Sequence, residues 1–184
     1  MNDDRPDASP GAQERMLLDF ARLDPARAWR SVDDVVMGGV SASRFELVEG
    51  VGAVFEGRVS LENGGGFASV RSPDDVVERG LLAGCTGLEL DLRGDGRAYK
   101  FNVRLERAFD GVVWQGPFAP PRGERVRVRL PFTDFVPTFR GRAVRDAGAL
   151  DPARITSFGL VIAGGQAGPF RLELASIRAL CANR

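Results

Sequence analysis

Val51-Gly-Ala-Val-Phe-Glu-Gly-Arg-Val-Ser-Leu-Glu-Asn-Gly-Gly-Gly-Phe-Ala-Ser-Val-Arg71 decides the fold class. Val51, Ala53, Phe55, Val59 and Leu61 alternate with Glu56, Arg58 and Ser60, a period of two that buries one face of a strand. A glycine-dense loop follows, Asn63-Gly-Gly-Gly66, and it runs into Phe67-Ala-Ser-Val-Arg71, which reads as another strand. A phosphate cradle wants a helix N-terminus at that point, so the glycines read as shaping a strand-to-strand connection. Upstream, Trp29-Arg-Ser-Val-Asp-Asp-Val-Val-Met-Gly-Gly-Val-Ser41 is a second glycine-bearing loop. The pair brackets one alternating strand, and glycine is needed where φ turns positive or another backbone comes close.

The same alternation recurs along the chain. Leu88, Leu90 and Leu92 alternate with Glu89, Asp91 and Arg93, and Tyr99, Phe101, Val103 and Leu105 with Lys100, Asn102, Arg104 and Glu106. Val126, Val128 and Leu130 interleave with Arg125, Arg127 and Arg129, and Phe170, Leu172 and Leu174 with Arg171 and Glu173. Turn signals separate these runs at Glu49-Gly50, Asn63-Gly64, Gly94-Asp95-Gly96, Asp110-Gly111, Arg122-Gly123 and Gly164-Gly165. Strands at this spacing predict an all-β sandwich or barrel. Helix is expected only in a turn or two over Pro73 to Leu82 and after Asp151-Pro152, where Asp suits the N-cap and Pro the first helical position.

At 184 residues the chain suits one domain. Residues 1–13 read as a disordered polar arm and 14–184 as a single β-sandwich, with a turn at Asp24-Pro25. Lys+Arg and Asp+Glu are both 25, so no net charge draws the protein to nucleic acid. Cys85 and Cys181 form no metal-ligand cluster; they can bridge only if their Cα atoms come within ~7 Å, and since free cysteines are usually buried, two reduced core thiols are the expectation. No apolar run approaches the ~18 residues of a membrane span. The N-terminus has neither a secretory pattern nor the acid-poor composition of a mitochondrial presequence, which leads to the expectation of a bacterial cytoplasm.

Histidine is absent from the chain. That removes Ser-His-Asp and Cys-His catalysis and the commonest general base. Asp33, Asp34, Asp91 and Asp95 remain as carboxylates, and each also reads as a turn former. Asp95, in Gly94-Asp-Gly-Arg97, can offer an oxygen to calcium, although the dense acidic spacing of a dedicated loop is missing. Trp114 faces either the core or a groove. Arg71 and Arg104 read either as clamps for carboxylates or as partners of Asp34 or Asp95. If the central strands are neighbours, Glu89, Asp91, Arg93, Lys100, Asn102, Arg104, Arg125 and Arg127 make one mixed-charge outer face. That face is either a binding groove or a layer of cross-strand ion pairs.

Five segments carry a resemblance to a known family: Met37-Gly-Gly-Val-Ser41; Gly65-Gly-Phe-Ala-Ser69; Gly94-Asp-Gly-Arg-Ala-Tyr99; Leu130-Pro-Phe-Thr-Asp-Phe135 with Arg140-Gly141; and Ser157-Phe-Gly-Leu160 with Gly168-Pro-Phe-Arg-Leu172. In this order they resemble the complex I intermediate-associated protein 30 family, over about Trp29 to Ile177. The resemblance implies a jelly-roll β-sandwich of the galactose-binding-domain-like type, with little helix, no cofactor and no catalysis. It implies an assembly factor that acts as a chaperone, with protein partners that include respiratory complex I subunits, reached from the cytoplasm at the inner membrane. The alternative is a small-ligand or carbohydrate-binding module with a sugar in the sheet groove. The residues it implicates are Asp34, Met37, Gly38, Gly39, Ser41, Asn63, Gly65, Gly66, Phe67 and Arg71 in the loops and Asp95, Arg97 and Tyr99 in the turn beyond them; Arg104 and Trp114 join the candidates from their strands alone.

Overall fold

The computed structural model describes residues 13–22, 29–107 and 110–182. The N-terminal arm through residue 12 and the Asp24-Pro25 turn lie outside them. The described residues form thirteen strands in two antiparallel sheets. One sheet contains β1 (Gln13–Asp19), β3 (Ala42–Val48), β4 (Gly52–Val59), β6 (Cys85–Arg93), β9 (Arg125–Pro131) and β13 (Gly168–Cys181). The other contains β2 (Arg30–Ser31), β5 (Ala68–Arg71), β7 (Tyr99–Arg104), β8 (Val113–Phe118), β10 (Val136–Phe139), β11 (Arg142–Ala143) and β12 (Ser157–Ile162).

The first sheet runs β3-β4-β13-β6-β9, and β1 also lies on β13. β13 is 14 residues long, which lets one of its edges serve two partners. Its first half, Gly168–Leu174, pairs with β4, and its second half, Ser176–Cys181, pairs with β1. The switch falls at a bulge around Ala175, whose carbonyl accepts from Phe20 N–H. The second sheet runs β11-β10-β8-β7-β12-β5-β2.

Between the sheets lies the core that the alternation anticipates. Phe55, Leu88, Leu90, Leu92, Leu172 and Leu174 meet Val70, Phe101, Val103, Phe158, Leu160 and Ile162, all at most 1% exposed. Each such side chain contributes about 1.5–3 kcal/mol by leaving water. Trp29 stacks on Phe45 with ring centroids 5.0 Å apart, closing one end of the core. The Phe132–Phe135 pair closes another part, with Phe135 lying over Gly116, where a Cβ would come within 2.7 Å of the ring.

Several sequence expectations need correction. The glycine loops bracket a hairpin, β3 and β4 joined at Glu49-Gly50, where one strand was expected. Pro73 to Leu82 forms turns and no helix, because its backbone bonds elsewhere: Val77 N–H donates to Thr156 and Gly80 N–H to Ala153. The helical turn after Asp151 is a 3-10 turn, Pro152–Arg154, capped by the Asp151 side chain. The eight polar residues expected on one face divide between two. Glu89, Asp91, Arg93, Arg125 and Arg127 lie on β6 and β9, while Lys100, Asn102 and Arg104 lie on β7 in the opposite sheet.

The outer face of β6, β9 and β13 is a lattice of ion pairs. Arg125 holds Asp91 through two hydrogen bonds of 2.7 and 3.0 Å and lowers its pKa. Glu89, 1% exposed, accepts from Arg129 at 2.9 Å and has Arg127 and Arg178 at 3.6 and 3.7 Å.

The expectation of two reduced thiols is also overturned. Cys85 and Cys181 are register partners at the ends of β6 and β13, with Cα atoms 3.8 Å apart, and they form a disulfide. The pairing depends on a sheet register set across 96 residues, which neither cysteine's neighbourhood reveals. Reduction should lower unfolding stability by about 2–5 kcal/mol, because the open chain gains entropy on unfolding. Urea unfolding with and without reductant, alongside the C85S/C181S variant, measures it; identical midpoints would show that the bridge adds nothing.

Candidate functional site

The first glycine loop is built around a carboxylate. Asp34 opens a 3-10 turn, Asp34–Met37, and its side chain points inward with no exposed surface. Its Oδ1 accepts from Ser41 N–H at 2.9 Å. Its Oδ2 accepts from the Ser41 hydroxyl at 2.6 Å and from the N–H groups of Gly66 and Phe67 at 2.7 and 3.2 Å. One side chain therefore ties the Met37–Ser41 loop to the Gly65–Phe67 loop. Burial works to raise its pKa, but the hydrogen bonds from Ser41, Gly66 and Phe67 prevail and hold the carboxyl below its ordinary range.

Two motif glycines are explained by this carboxylate. A Cβ on Gly39 would overlap the Asp34 carboxyl group, and one on Gly65 would sit 2.6 Å from Asp34 Oδ2. Any larger residue would push the loop backbone off its acceptor. Asp33 repeats the device one residue earlier. It accepts from Ser43 N–H and hydroxyl, both at 2.7 Å, and from Ser69 N–H at 3.0 Å. Ser43 belongs to β3 and Ser69 to β5, so Asp33 bridges the two sheets directly.

What this platform displays is apolar. Val35, Val36 and Met37 are 62%, 70% and 74% exposed, and Val40 and Leu61 are about half exposed. Of these, sequence reading singled out only Met37. The signal was the Val-Val-Met run inside an otherwise polar and glycine-rich loop. Gly38 ends the 3-10 turn, its N–H donating to Val35. Asn63 is exposed with φ 55°, and Phe67 is half-buried behind the loop.

The Asp95 turn lies apart from these loops. Asp95 Oδ1 accepts from Arg97 N–H and from the Tyr99 hydroxyl, both at 3.0 Å, and Oδ2 from Arg171 N–H at 2.9 Å. Arg97 donates to the carbonyls of Gln166 and Ala167 at 2.7 and 3.1 Å. Tyr99 is buried, and burial, followed by the Asp95 charge, raises its pKa. This group fastens the β6–β7 turn to β13 and borders an open cleft of about 760 Å³ whose walls include Arg44, Glu56, Arg58 and Arg171. Both Asp95 oxygens are engaged by donors from the chain, and no cluster of three metal-ligating side chains occurs among the described residues.

Trp114 is 4% exposed and packs in the core, so the groove-facing orientation does not hold. Arg71 and Arg104 lie on the outer face of the seven-stranded sheet. Neither reaches Asp34 or Asp95: Arg71 binds Asp74, and the Arg104 guanidinium has no hydrogen bond or ion pair among the described residues. Burial and then the charge of Arg71 push the Arg104 pKa down to about 10, against the opposing pull of Asp74 and Asp110. Beside them, Lys100 donates to Gln115 at 3.2 Å and Gln115 to Asn102 at 3.1 Å.

The family model described as Complex I intermediate-associated protein 30 matches residues 18–174. The chain belongs to that family. An uncharacterized protein of Schizosaccharomyces pombe is 31% identical over 172 residues, covering 84% of this chain and 78% of that protein. The mitochondrial complex I intermediate-associated protein 30 of Drosophila melanogaster is 27% identical, and the match covers 90% of this chain but only 62% of the fly protein. Among solved structures, a family 11 carbohydrate-binding module of a Clostridium thermocellum cellulase superposes with a TM-score of 0.66 at 17% identity, covering 94% of this chain and 97% of the module. The same module bound to a mixed-linked tetrasaccharide gives 0.65 at 18%, covering 95% and 98%. At such identities the likeness is one of fold, and it establishes the jelly-roll sandwich.

Asp34→Asn should destabilise the fold by about 2–3 kcal/mol, because its amide turns a donor toward N–H groups left without an acceptor. The depressed pKa means that the carboxylate's stabilisation is complete above the unfolded pKa of ~3.9 and is lost as pH falls through the lower folded value. Urea titrations from neutral pH downward should show this acid-side loss in the wild type and its reduction in the variant; parallel pH curves would refute the role.

Proposed function

We propose that this chain is a non-enzymatic protein-binding domain that assists assembly of respiratory complex I, and that Val35, Val36, Met37, Val40 and Leu61 form its docking surface. The observation that carries the reading is a set of large apolar side chains held in water on a backbone pinned by Asp33 and Asp34. Exposed apolar patches on a soluble domain commonly mark contacts, and a preorganised base lowers the entropy lost on binding. The occupant is an apolar surface of an unassembled complex I subunit, which its neighbours in the finished complex would otherwise cover. The likeness to the fly complex I intermediate-associated protein supports that choice.

The absence of catalysis in this reading rests on the acidic groups. Asp33, Asp34 and Asp95 have their oxygens engaged in holding loops, and the chain has no histidine. No helix among the described residues is long and apolar enough to cross a membrane. The proposed setting is the aqueous side of a bacterial inner membrane, reached through partners, and it must leave the Cys85–Cys181 bridge unreduced.

A second reading, a small-ligand or sugar module, is favoured by the Lys100–Gln115–Asn102 chain on an open sheet face. Against it, Trp29, Tyr99 and Trp114 are all buried, so none of them offers a ring for stacking.

Affinity capture of the tagged protein from solubilised host membranes tests the first reading. Complex I subunits should be recovered with the wild type and lost with V36D/M37D, whose exposed positions leave the unfolding free energy within about 0.5 kcal/mol of the wild type. Equal recovery with the variant, or no complex I subunit with either protein, would defeat it. Titration with a mixed-linked tetrasaccharide, followed at Gln115 and Asn102 by NMR, tests the second.

A further inference from the structure

Ser157 of β12 is the cross-strand partner of Arg104 on β7. Gly159, two residues along, pairs with Asn102 of β7 on one side and with Arg71 of β5 on the other. Phe158 and Leu160 are in the core, so Ser157 and Gly159 face outward. Arg71, Asn102, Arg104 and Ser157 thus surround a patch of sheet at which Gly159 contributes only backbone. A Cβ there would sit 2.7 Å from the Val70 carbonyl.

Three features of this patch are unusual together. Arg104 is half-buried, beside a second arginine, and its guanidinium donates to no described residue. Ser157 has no exposed surface, and its hydroxyl has no hydrogen-bond partner. The nearby acids already have cations: Asp74 holds Arg71, and Asp110 holds Arg140. A guanidinium offers five donors in a planar fork, and that fork matches the two oxygens of a carboxylate. A buried hydroxyl without a partner is costly, and an acceptor entering beside Arg104 would satisfy both groups at once.

We propose that Arg104, Arg71 and Ser157 form a binding site for a carboxylate group. Arg104 supplies the two-pronged contact, Arg71 supplies a second positive charge steadied by Asp74, and Ser157 donates from the sheet beneath. The carboxylate belongs either to a small acid or to an acidic side chain of a peptide. The site is independent of the apolar tip, so its fate does not decide the assembly reading.

The test uses the whole chain, labelled for NMR, with the arginine Nε–Hε signals followed during titration at constant ionic strength. The probes are acetate, succinate and a blocked aspartyl tripeptide, with chloride and phosphate as controls. The Arg104 signal should move saturably with the carboxylates. Affinity should fall about tenfold in R104Q, the factor expected for one lost charged hydrogen bond, and by less in S157A, while R142Q binds as the wild type does. Tighter binding of the tripeptide would identify a peptide source, and tighter binding of succinate a small acid. If R104Q does not fold, R104K keeps the charge without the fork and should lose most of the binding. No saturable movement, an equal response to chloride or phosphate, or undiminished binding by whichever Arg104 variant folds would overturn the proposal.

Discussion

Two adjacent carboxylates that accept hydrogen bonds, with no cation paired to either among the described residues, hold this sandwich together at the end that matters. Asp33 reaches β3 and β5, one strand from each sheet, and Asp34 joins the two loops that lead into them. An ionised carboxylate only accepts, so it can gather backbone N–H groups that no strand partner satisfies. A lysine or arginine in the same place would leave the N–H groups unpaired, and an apolar residue would leave them buried and unsatisfied. The neighbouring glycines follow from that choice, because the loop backbones must approach within contact of the carboxyl group. The motif residues that look most like a site are thus the framework, and the surface they present comes from the unremarked valines beside them.

The two sheet faces solve the problem of outward polar residues differently. On β6, β9 and β13 the acids and arginines neutralise one another, with Glu89 taken out of water beneath three guanidiniums. Such a lattice matches charge with charge, while Glu89 Oε1 and Arg178 Nη1 make no hydrogen bond within it, and a buried pair of this kind is weak evidence for stability. On β5, β7 and β12 the count is incomplete: Arg71 has its acid, Arg104 makes no hydrogen bond or ion pair among the described residues, and the Ser157 hydroxyl is left without a partner. The difference lies in side chains that sequence alternation treats as equivalent.

Periodicity of two made β4, β6, β7, β9 and β13 legible, and the turn residues made their connections legible. It reports which face a side chain takes but not which strands are neighbours, so Lys100 and Glu89 look like companions until the sheet order separates them. The Cys85–Cys181 bond and the core position of Trp114 were hidden for the same reason, since both depend on long-range register. Over Pro73 to Leu82, local propensity pointed to helix, and hydrogen bonds to residues 153–156 won. Within the glycine loops the structure brings Ser41, Gly66 and Phe67 onto Asp34, an arrangement that spacing along the chain does not reveal.

β13 is the last strand in chain order and lies in the middle of its sheet. Before it arrives, β4 and β6 have open edges facing one another with nothing between them, and β1 has no partner. Sequence-distant closure of this kind is slow, and open edges invite pairing with other chains. A nascent copy must therefore carry an unfilled strand-width slot until nearly the whole domain has been made. The chain thus passes through an unfinished state of its own, with a vacancy that its own final strand fits in register.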